Sequence, residues 1–425
     1  MTEMFQLIGV KNFKGITNAE ISLSRVNVFV GENGTGKSTI GQALEMLKTS
    51  KGTQGINTNL PEMNLGTIDK LVPTGDKAEI KIEGTIDLNL KEPLNHPLSY
   101  SLSISFDSSG LDSYSLSVKL GEYSLSSNYS RGGPVILNPT QFKVEDINFN
   151  LQPIISIGTL FQGGGFGYPQ DKMKLANEIN LSLTKISVAV GESLQQISIV
   201  PVFRGFLEPT YPLQPGFSQG MNIRGNMVQV SSAEASNLMY LDPSSKVKLR
   251  AWSRYILDAE FDTKIVPGAQ VAVINPEKDI FITNEGFGLN QLIPILSTIV
   301  RASKDSLVII EEPEIHLHPR AQFKLGLLVP KIAKEEGIQV VLVTHSEHVV
   351  SGILSAVRNT DVVPENVAMW LFEKNEGRNM VSKCAVNKDG STEGGLKTFI
   401  QASIDEIREK TNVSEKGDSR ESGNR

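Results

Sequence analysis

A chain of 425 residues with 39% hydrophobic and 21% charged side chains can bury a large core, and its composition is that of a globular protein. A formal net charge of −6 excludes a surface that grips nucleic acid over its whole extent, while leaving room for a local basic patch. One cysteine, Cys384, excludes an intrachain disulfide, no apolar run is long enough to span a bilayer, and the opening residues lack the form of a signal peptide, so a cytoplasmic location is expected.

In chain order, apolar runs predict strands over 5–10, 21–23 and 26–30, and a helical pattern follows over 38–47. Between the third strand and the helix lies Gly31-Glu32-Asn33-Gly34-Thr35-Gly36-Lys37-Ser38, which satisfies the phosphate-binding pattern GxxxxGK[ST] at every position. Its glycines let backbone N–H groups approach a phosphate, and the helix start adds unpaired amides and a positive dipole end. Lys37 reaches β and γ phosphates, and the Ser38 hydroxyl is a hard ligand for Mg²⁺. From about 79 to 127 the apolar period becomes two: Ile80, Ile82, Ile86, Leu88 and Leu90, then Tyr100, Leu102, Ile104 and Phe106, then Tyr114, Leu116, Val118 and Leu120. That alternation predicts an antiparallel β-meander.

The middle, about 170–265, mixes helical pieces (171–186, 233–239, 246–257) with short strands. A second glycine cluster, Gly163 to Gly167, lacks the lysine and hydroxyl of a phosphate loop and reads as a flexible loop. Glycines and polar residues over 284–291 then lead into an apolar helix over 292–300 and again expose amides for an anion.

A buried strand over 307–310 ends in Glu311 and Glu312, the form of a Walker B segment. The first acid faces the metal and the second can accept a proton from an attacking water. Asp is usual at the first position, so Glu311 is a departure that keeps a hard oxygen near Mg²⁺. His316 and His318, in EPEIHLHP, are either a zinc-binding pair or packing and hydrogen-bonding groups. A helix is predicted over 321–336, with Pro330 kinking or interrupting it. A second buried strand over 340–343 runs into Thr344-His345-Ser346. There His345 can report a γ-phosphate, or it can merely line a loop while Ser346 caps a helix. Residues 412–425 lack apolar anchors and read as a disordered tail, and no heptad pattern announces a coiled-coil arm.

With these pieces in order the chain resembles the ABC-type ATPases of the OLD-like group, within it the standalone members without a nuclease domain. The residues that carry the resemblance are LIGVKNFKGI with VNVFVGENGTGKST, NLGTIDKLV at 64–72, GFGLNQLIPIL at 286–296, VIIEEPEIHLHP at 308–319 and VLVTHSEHVV at 341–350. It covers 1–50 and 280–350 firmly, and VNKDGSTEGGLKTFIQAS looks like the closing module without its usual aromatic ending.

The resemblance implies a fold and a set of roles. The fold is α/β: an ABC-type P-loop ATPase head with an antiparallel β-meander insert and a mixed α/β middle section. ATP would lie against residues 31–38, with Thr39, Asn12 and Lys14 beside it. Ser38 and Glu311 would hold Mg²⁺; Lys37, Glu312 and the switch histidine His345 would serve catalysis. Gly286, Gly288 and Asn290 would stand in for the ABC signature and touch ATP bound by a second subunit. A glutamine loop is not located.

The expected organisation is an N-terminal ATPase part (1–60), a β-rich insert (61–165), a mixed middle (166–280), a C-terminal ATPase part (281–411) and the tail. Expected partners are a second copy, head to tail or in a larger homo-oligomer, and a separate effector such as a nuclease. DNA is compatible but not indicated, and a membrane is not expected. The leading function is a Mg²⁺-dependent ATPase regulating an effector in prokaryotic defence against foreign DNA. Three alternatives are a RecF-like DNA-repair clamp, disfavoured by the acidic balance and by EEPEIHLHP, a nucleotide-gated scaffold with little turnover, and a transporter subunit, disfavoured by the missing LSGGQ.

Overall fold

The structure is a computed structural model that describes residues 4–50, 55–60, 63–73, 75–144, 147–154, 156–162, 172–214, 231–375 and 378–393. The 163–167 glycine cluster, most of the closing module and the 412–425 tail lie outside the described residues. Strands β1 (Phe5–Phe13) and β2 (Ile16–Ser22) form a hairpin, and β3 (Val26–Gly31) runs directly into helix α1 (Lys37–Thr49). Four long strands follow: β4 (Ala78–Ile86), β5 (Leu98–Asp107), β6 (Gly110–Leu120) and β7 (Tyr123–Ser130). After them come β8 (Ile136–Asn138) and two small hairpins, β9 (Gln141–Val144) with β10 (Ile147–Asn150) and β11 (Gln152–Pro153) with β12 (Phe161–Gln162).

The middle contributes α2 (Met173–Leu194), β13 (Ile197–Val200), β14 (Thr210–Pro212), α3 (Ser232–Leu241), α4 (Pro243–Leu257), β15 (Asp262–Val266), β16 (Gln270–Asn275) and β17 (Ile280–Phe281). The last third holds α5 (Phe287–Arg301), β18 (Leu307–Glu311), α6 (Pro319–Glu336), β19 (Gln339–Val343), α7 (Glu347–Arg358), β20 (Val367–Asn375), β21 (Arg378–Val386) and β22 (Thr392–Glu393).

One fourteen-stranded sheet organises the molecule, in the order β13-β18-β19-β3-β20-β21-β2-β1-β4-β5-β6-β7-β8 with β22 beside β21. From β13 to β20 the neighbours are parallel, and from β1 to β8 they are antiparallel. The mixed α/β architecture expected from the sequence is therefore present, with the meander joined edge to edge to the parallel strands through β21, β2 and β1. Each face carries its own core. Phe29 of β3 packs with Ile40 and Leu44 of α1 and with Ile179 and Leu183 of α2. Val26, Val28 and Val30 of the same strand pack on the opposite side with residues of α3 to α7. A strand covered on both faces reads as a continuous apolar run, which is the form β3, β18 and β19 take.

The strand expected over 21–23 is the end of the longer β2, and three of the predicted helices differ from those observed. Helix α2 continues eight residues past the predicted end because its apolar face continues through Ala189, Val190 and Leu194. Gly191 lies within it against Gly158, where a Cβ on Gly158 would collide with the Gly191 backbone. Helix α6 runs unbroken through Pro330. Its anchorage to α7 holds it: Gly326 and Gly352 face each other, and a Cβ on either would collide with the other helix's backbone. Helix α5 begins at Phe287, before the predicted start at 292, and carries Pro294 inside it. No helix among the described residues is long and apolar enough to cross a membrane.

Candidate functional site

Strands β3, β18 and β19 are parallel neighbours near the β13 end of the sheet, so the loops after them open at the same edge. In an open parallel sheet, ligands bind outside the carboxyl ends of the strands. The loop after β3 is built on backbone that only glycine adopts freely: Gly31, Gly34 and Gly36 have φ of 144°, 78° and 94°. At Gly31 a Cβ would collide with the carbonyl oxygen of Phe372 on β20, so the loop and the neighbouring strand meet backbone to backbone. Thr35 is buried and its hydroxyl donates to Glu32 O at 2.8 Å, which closes the loop from inside, and Thr39 N donates to Gly36 O at 3.1 Å.

Lys37 lies beneath the loop, 5% exposed, with Nζ donating to Gly31 O and Glu32 O at 2.8 Å each. Burial lowers its pKa, against the raising influence of Glu312 and Glu314. A cation parked on two neutral carbonyls in an acidic setting is ready to exchange them for an anion.

A cavity of about 330 Å³ opens above this loop, lined by Lys14, Asn33, Gly34, Gly36, Lys37, Ser38, Thr39, Gln42, Glu312 and His345. It unites the phosphate loop with the ends of β18 and β19. Glu312 accepts from His345 Nε2 at 3.0 Å and is held at φ 43°, with its N–H donating to Val343 O at 2.8 Å. Burial would raise the Glu312 carboxyl. The hydrogen bond and charge of His345, the adjacent Glu314 carboxyl and Lys37 outweigh it, and Glu312 titrates below the usual glutamate value. Glu312 is thereby kept ionised, the form in which it can accept a proton.

Glu311 stands one residue earlier on the strand, beside the Ser38 side chain, which hydrogen-bonds it. Burial raises the Glu311 carboxyl, Ser38 opposes the rise, and the Glu312 charge adds to it. Two hard oxygen donors, a hydroxyl and a carboxylate, suit a Mg²⁺ ion. The pair therefore fits the metal expected there.

The structure brings Gly34, Gly36, Lys37, Ser38, Thr39, Asn33, Lys14, Glu311, Glu312 and His345 to this one region. Lys14, at φ 46° in the turn between β1 and β2, points Nζ at Gln42 Oε1 at 2.6 Å, and burial lowers its pKa. Asn12 is placed elsewhere: its side chain donates to Lys77 O at 3.2 Å, just ahead of β4, the strand that pairs with β1. Glu32 is exposed, contributing its carbonyl and not its carboxylate to the loop.

Asn290, expected to face a second subunit, is 5% exposed; it accepts from Phe206 N at 2.6 Å and donates to Phe206 O at 3.1 Å. The early start of α5 is the reason, since it winds Asn290 inward. Gly286 caps that helix in open solvent, and Phe287, 64% exposed, stacks on His316 with ring centroids 4.9 Å apart. His318 accepts from Arg320 N at 3.3 Å as the N-cap of α6. Of the two readings of this histidine pair, these contacts are the packing and capping one, and the described residues contain no cluster of three metal-ligating side chains. Ser346 caps α7 through Val349 N at 3.1 Å.

Three residues were missed in the sequence reading. Gln42 sits one helical turn after Ser38, so the predicted helix could have supplied it. Glu314 accepts from Thr344 Oγ1 and His345 N at 2.7 Å each, while its other carboxyl oxygen is buried without a hydrogen bond. Burial raises its pKa and the Glu312 charge adds to the rise. Arg204, 9% exposed in the hard-to-read middle, donates to Glu311 O and Glu312 O at 2.8 Å each.

The sequence profile of the AAA ATPase domain matches residues 4–152 and 169–350, well over half of the chain. No curated protein matches it significantly. Similar solved structures include an SmcHead bound to the C-winged helix domain of ScpA (13% identity, TM-score 0.49, covering 91% of this chain and 98% of that one). They also include the SMC head domain from Thermotoga maritima (12% identity, TM-score 0.41, 89% and 98%). A third is an Smc head domain with an extended coiled coil, bound to the C-terminal domain of ScpA, derived from Pyrococcus furiosus (12% identity, TM-score 0.47, 95% and 99%). The assignment rests on the sequence match, whose span holds the phosphate loop, both glutamates and the histidine: the chain belongs to the AAA ATPase domain family.

Proposed function

We propose that the chain binds Mg²⁺-ATP and hydrolyses it, as the ATPase of an assembly that controls a separate effector in prokaryotic defence against foreign DNA. The observation that carries the catalytic part is the shared cavity of Lys37, Ser38, Glu312 and His345, with Glu311 beside Ser38. The defence setting is supported by the OLD-like segment EEPEIHLHP.

In this reading Lys37 leaves the carbonyls of Gly31 and Glu32 for the β and γ phosphates, and the loop amides receive the remaining oxygens. Ser38 and Glu311 would hold Mg²⁺, which when bound would supply charge neutralisation at the phosphate oxygens. Glu312 accepts the proton of the attacking water, while His345 fixes the orientation of its carboxylate and reaches toward the γ-phosphate. The exposed start of α5, at Gly286 and Phe287, is the surface offered to a second copy, whose nucleotide it would cover.

Phosphate release by the purified chain with ATP and Mg²⁺ tests the reading. Turnover that disappears in Lys37→Ala and Glu312→Gln supports it. ATP binding without turnover would leave a nucleotide-gated scaffold, and a chain that binds no ATP overturns the proposal. Light scattering of Glu312→Gln in saturating ATP tests the dimer, which an unchanged monomer would exclude.

A further inference from the structure

We infer that Arg204 is a positioning residue that holds the Glu311–Glu312 turn in working geometry and ties it to helix α5; the inference rests on the catalytic role proposed for Glu312. The guanidinium is buried, yet it forms no ion pair with a carboxylate among the described residues. Its hydrogen bonds go instead to four backbone carbonyls: Pro201 O at 2.7 Å, Gln291 O at 3.4 Å, and Glu311 O and Glu312 O at 2.8 Å each. Burial lowers its pKa to about 10, against the raising influence of Glu314, Glu311 and Glu312. A buried cation aimed at main-chain oxygens, with three carboxylates nearby, is placed to shape the chain that carries those carboxylates.

The turn it holds needs shaping. Glu312 has φ 43°, a conformation that L residues with a side chain rarely adopt, so something outside the residue must maintain it. The planar fork of Arg204 spans two successive carbonyls at that point, which a lysine ammonium cannot do with the same geometry.

The loop carrying Arg204 is in turn gripped by α5. Asn290 pairs with both backbone groups of Phe206, and Gln291 Nε2 donates to Arg204 O. Gly205, at φ 113°, leaves no space for a Cβ against those two side chains. On either side of this grip Phe203 and Leu207 are 92% and 89% exposed, so the loop is fastened through Arg204 and Phe206 and not by burial of its apolar neighbours. The start of α5 and the acid pair are thus joined by one residue.

The test compares wild type with Arg204→Ala, Arg204→Lys and Gln291→Ala in the full chain. Arg204→Ala is expected to lower kcat by about 10²-fold, the cost of a small displacement of a reacting group, with KM for ATP changed less than about threefold. Millimolar guanidinium chloride is expected to restore part of the loss in Arg204→Ala and none in Glu312→Gln. Arg204→Lys is expected to fall between, and Gln291→Ala to lower kcat in the same direction.

Amide exchange of the segment around residues 311–317, measured without nucleotide, is expected to quicken in Arg204→Ala. This arm decides the inference even if wild type shows no turnover, an outcome that would sink the proposed function alone. A folded Arg204→Ala with wild-type kcat, or with unchanged exchange at 311–317, overturns the inference. So does a loss of kcat that guanidinium does not relieve and that comes with an equal loss of ATP binding. Should Arg204→Ala fail to fold, Arg204→Lys and Gln291→Ala carry the same readouts.

Discussion

The two halves of the large sheet are built to different standards. Strands β4 to β7 pair in long antiparallel registers with a single irregularity, between Ser105 and Phe106. Their inner residues, such as Ile80, Leu102, Ile104 and Leu116, are fully buried while serines occupy the outer positions. The parallel half departs from that regularity at its carboxyl edge. It buries Lys37 and Arg204 and sets Glu312 and His316 at positive φ. Buried charge and strained backbone both cost stability, and they persist where the surrounding structure over-determines them. The meander and the two cores supply that surplus, and the cavity edge uses it.

Substitutions sharpen the contrast when activity and stability respond separately. Lys37→Ala is expected to have the largest effect on function, with ATP binding lost in calorimetry and turnover at background, while the melting temperature stays level or rises because a buried cation is gone. Glu312→Gln is expected to lower turnover by about 10²–10⁴-fold with ATP binding retained, read by phosphate release and nucleotide titration. The meander should answer in the opposite sense. Phe106→Ala removes a fully buried ring that meets Phe13 edge-on at 6.0 Å, and is expected to cost about 3–5 kcal/mol in denaturant unfolding. The folded fraction should keep wild-type kcat; a large kcat loss there would break the division of labour.

A smaller effect tests the acid cluster. Ionising Glu314 in the folded state is disfavoured by burial and by Glu312, so its cost to stability sets in as pH rises through the ordinary glutamate range and is complete above the raised native pKa. Glu314→Gln removes that cost, and its amide oxygen can still accept from Thr344 and His345. The variant is expected to melt higher than wild type at pH 8, with the gap narrowing toward pH 5. The smallest change is expected from Ser103→Ala on the outer face of the meander, within about 0.5 kcal/mol in denaturant unfolding.

The legibility of the sequence follows the same division. Alternation announced the meander because each inner side chain needs only its own register position to be buried. The phosphate loop and the acidic strand end were legible because their chemistry is local: glycines before a helix, and carboxylates after an apolar run. What escaped the reading is held by partners distant in sequence. Arg204 matters because it reaches Glu311 and Glu312, more than a hundred residues away, and nothing in PVFRGF says so. Asn290 took its expected role from the resemblance of the 286–296 segment, and its hydrogen bonds to Phe206, more than eighty residues away, are not legible there. Asn12, at the end of β1, and Lys14, in the turn after it, are two residues apart, and only their partners, Lys77 O for the one and Gln42 for the other, separate the residue that lines the cavity from the one that does not.

The glycine contact between α6 and α7 has a mechanical meaning. With no side chain between Gly326 and Gly352, the two helices meet backbone to backbone at that point, with no layer of side chains to yield between them. Glu312 lies just ahead of α6 and His345 just ahead of α7. The two members of the acid–imidazole pair thus stand on segments that lead into helices in direct backbone contact, so a displacement of one helix is expected to reach both.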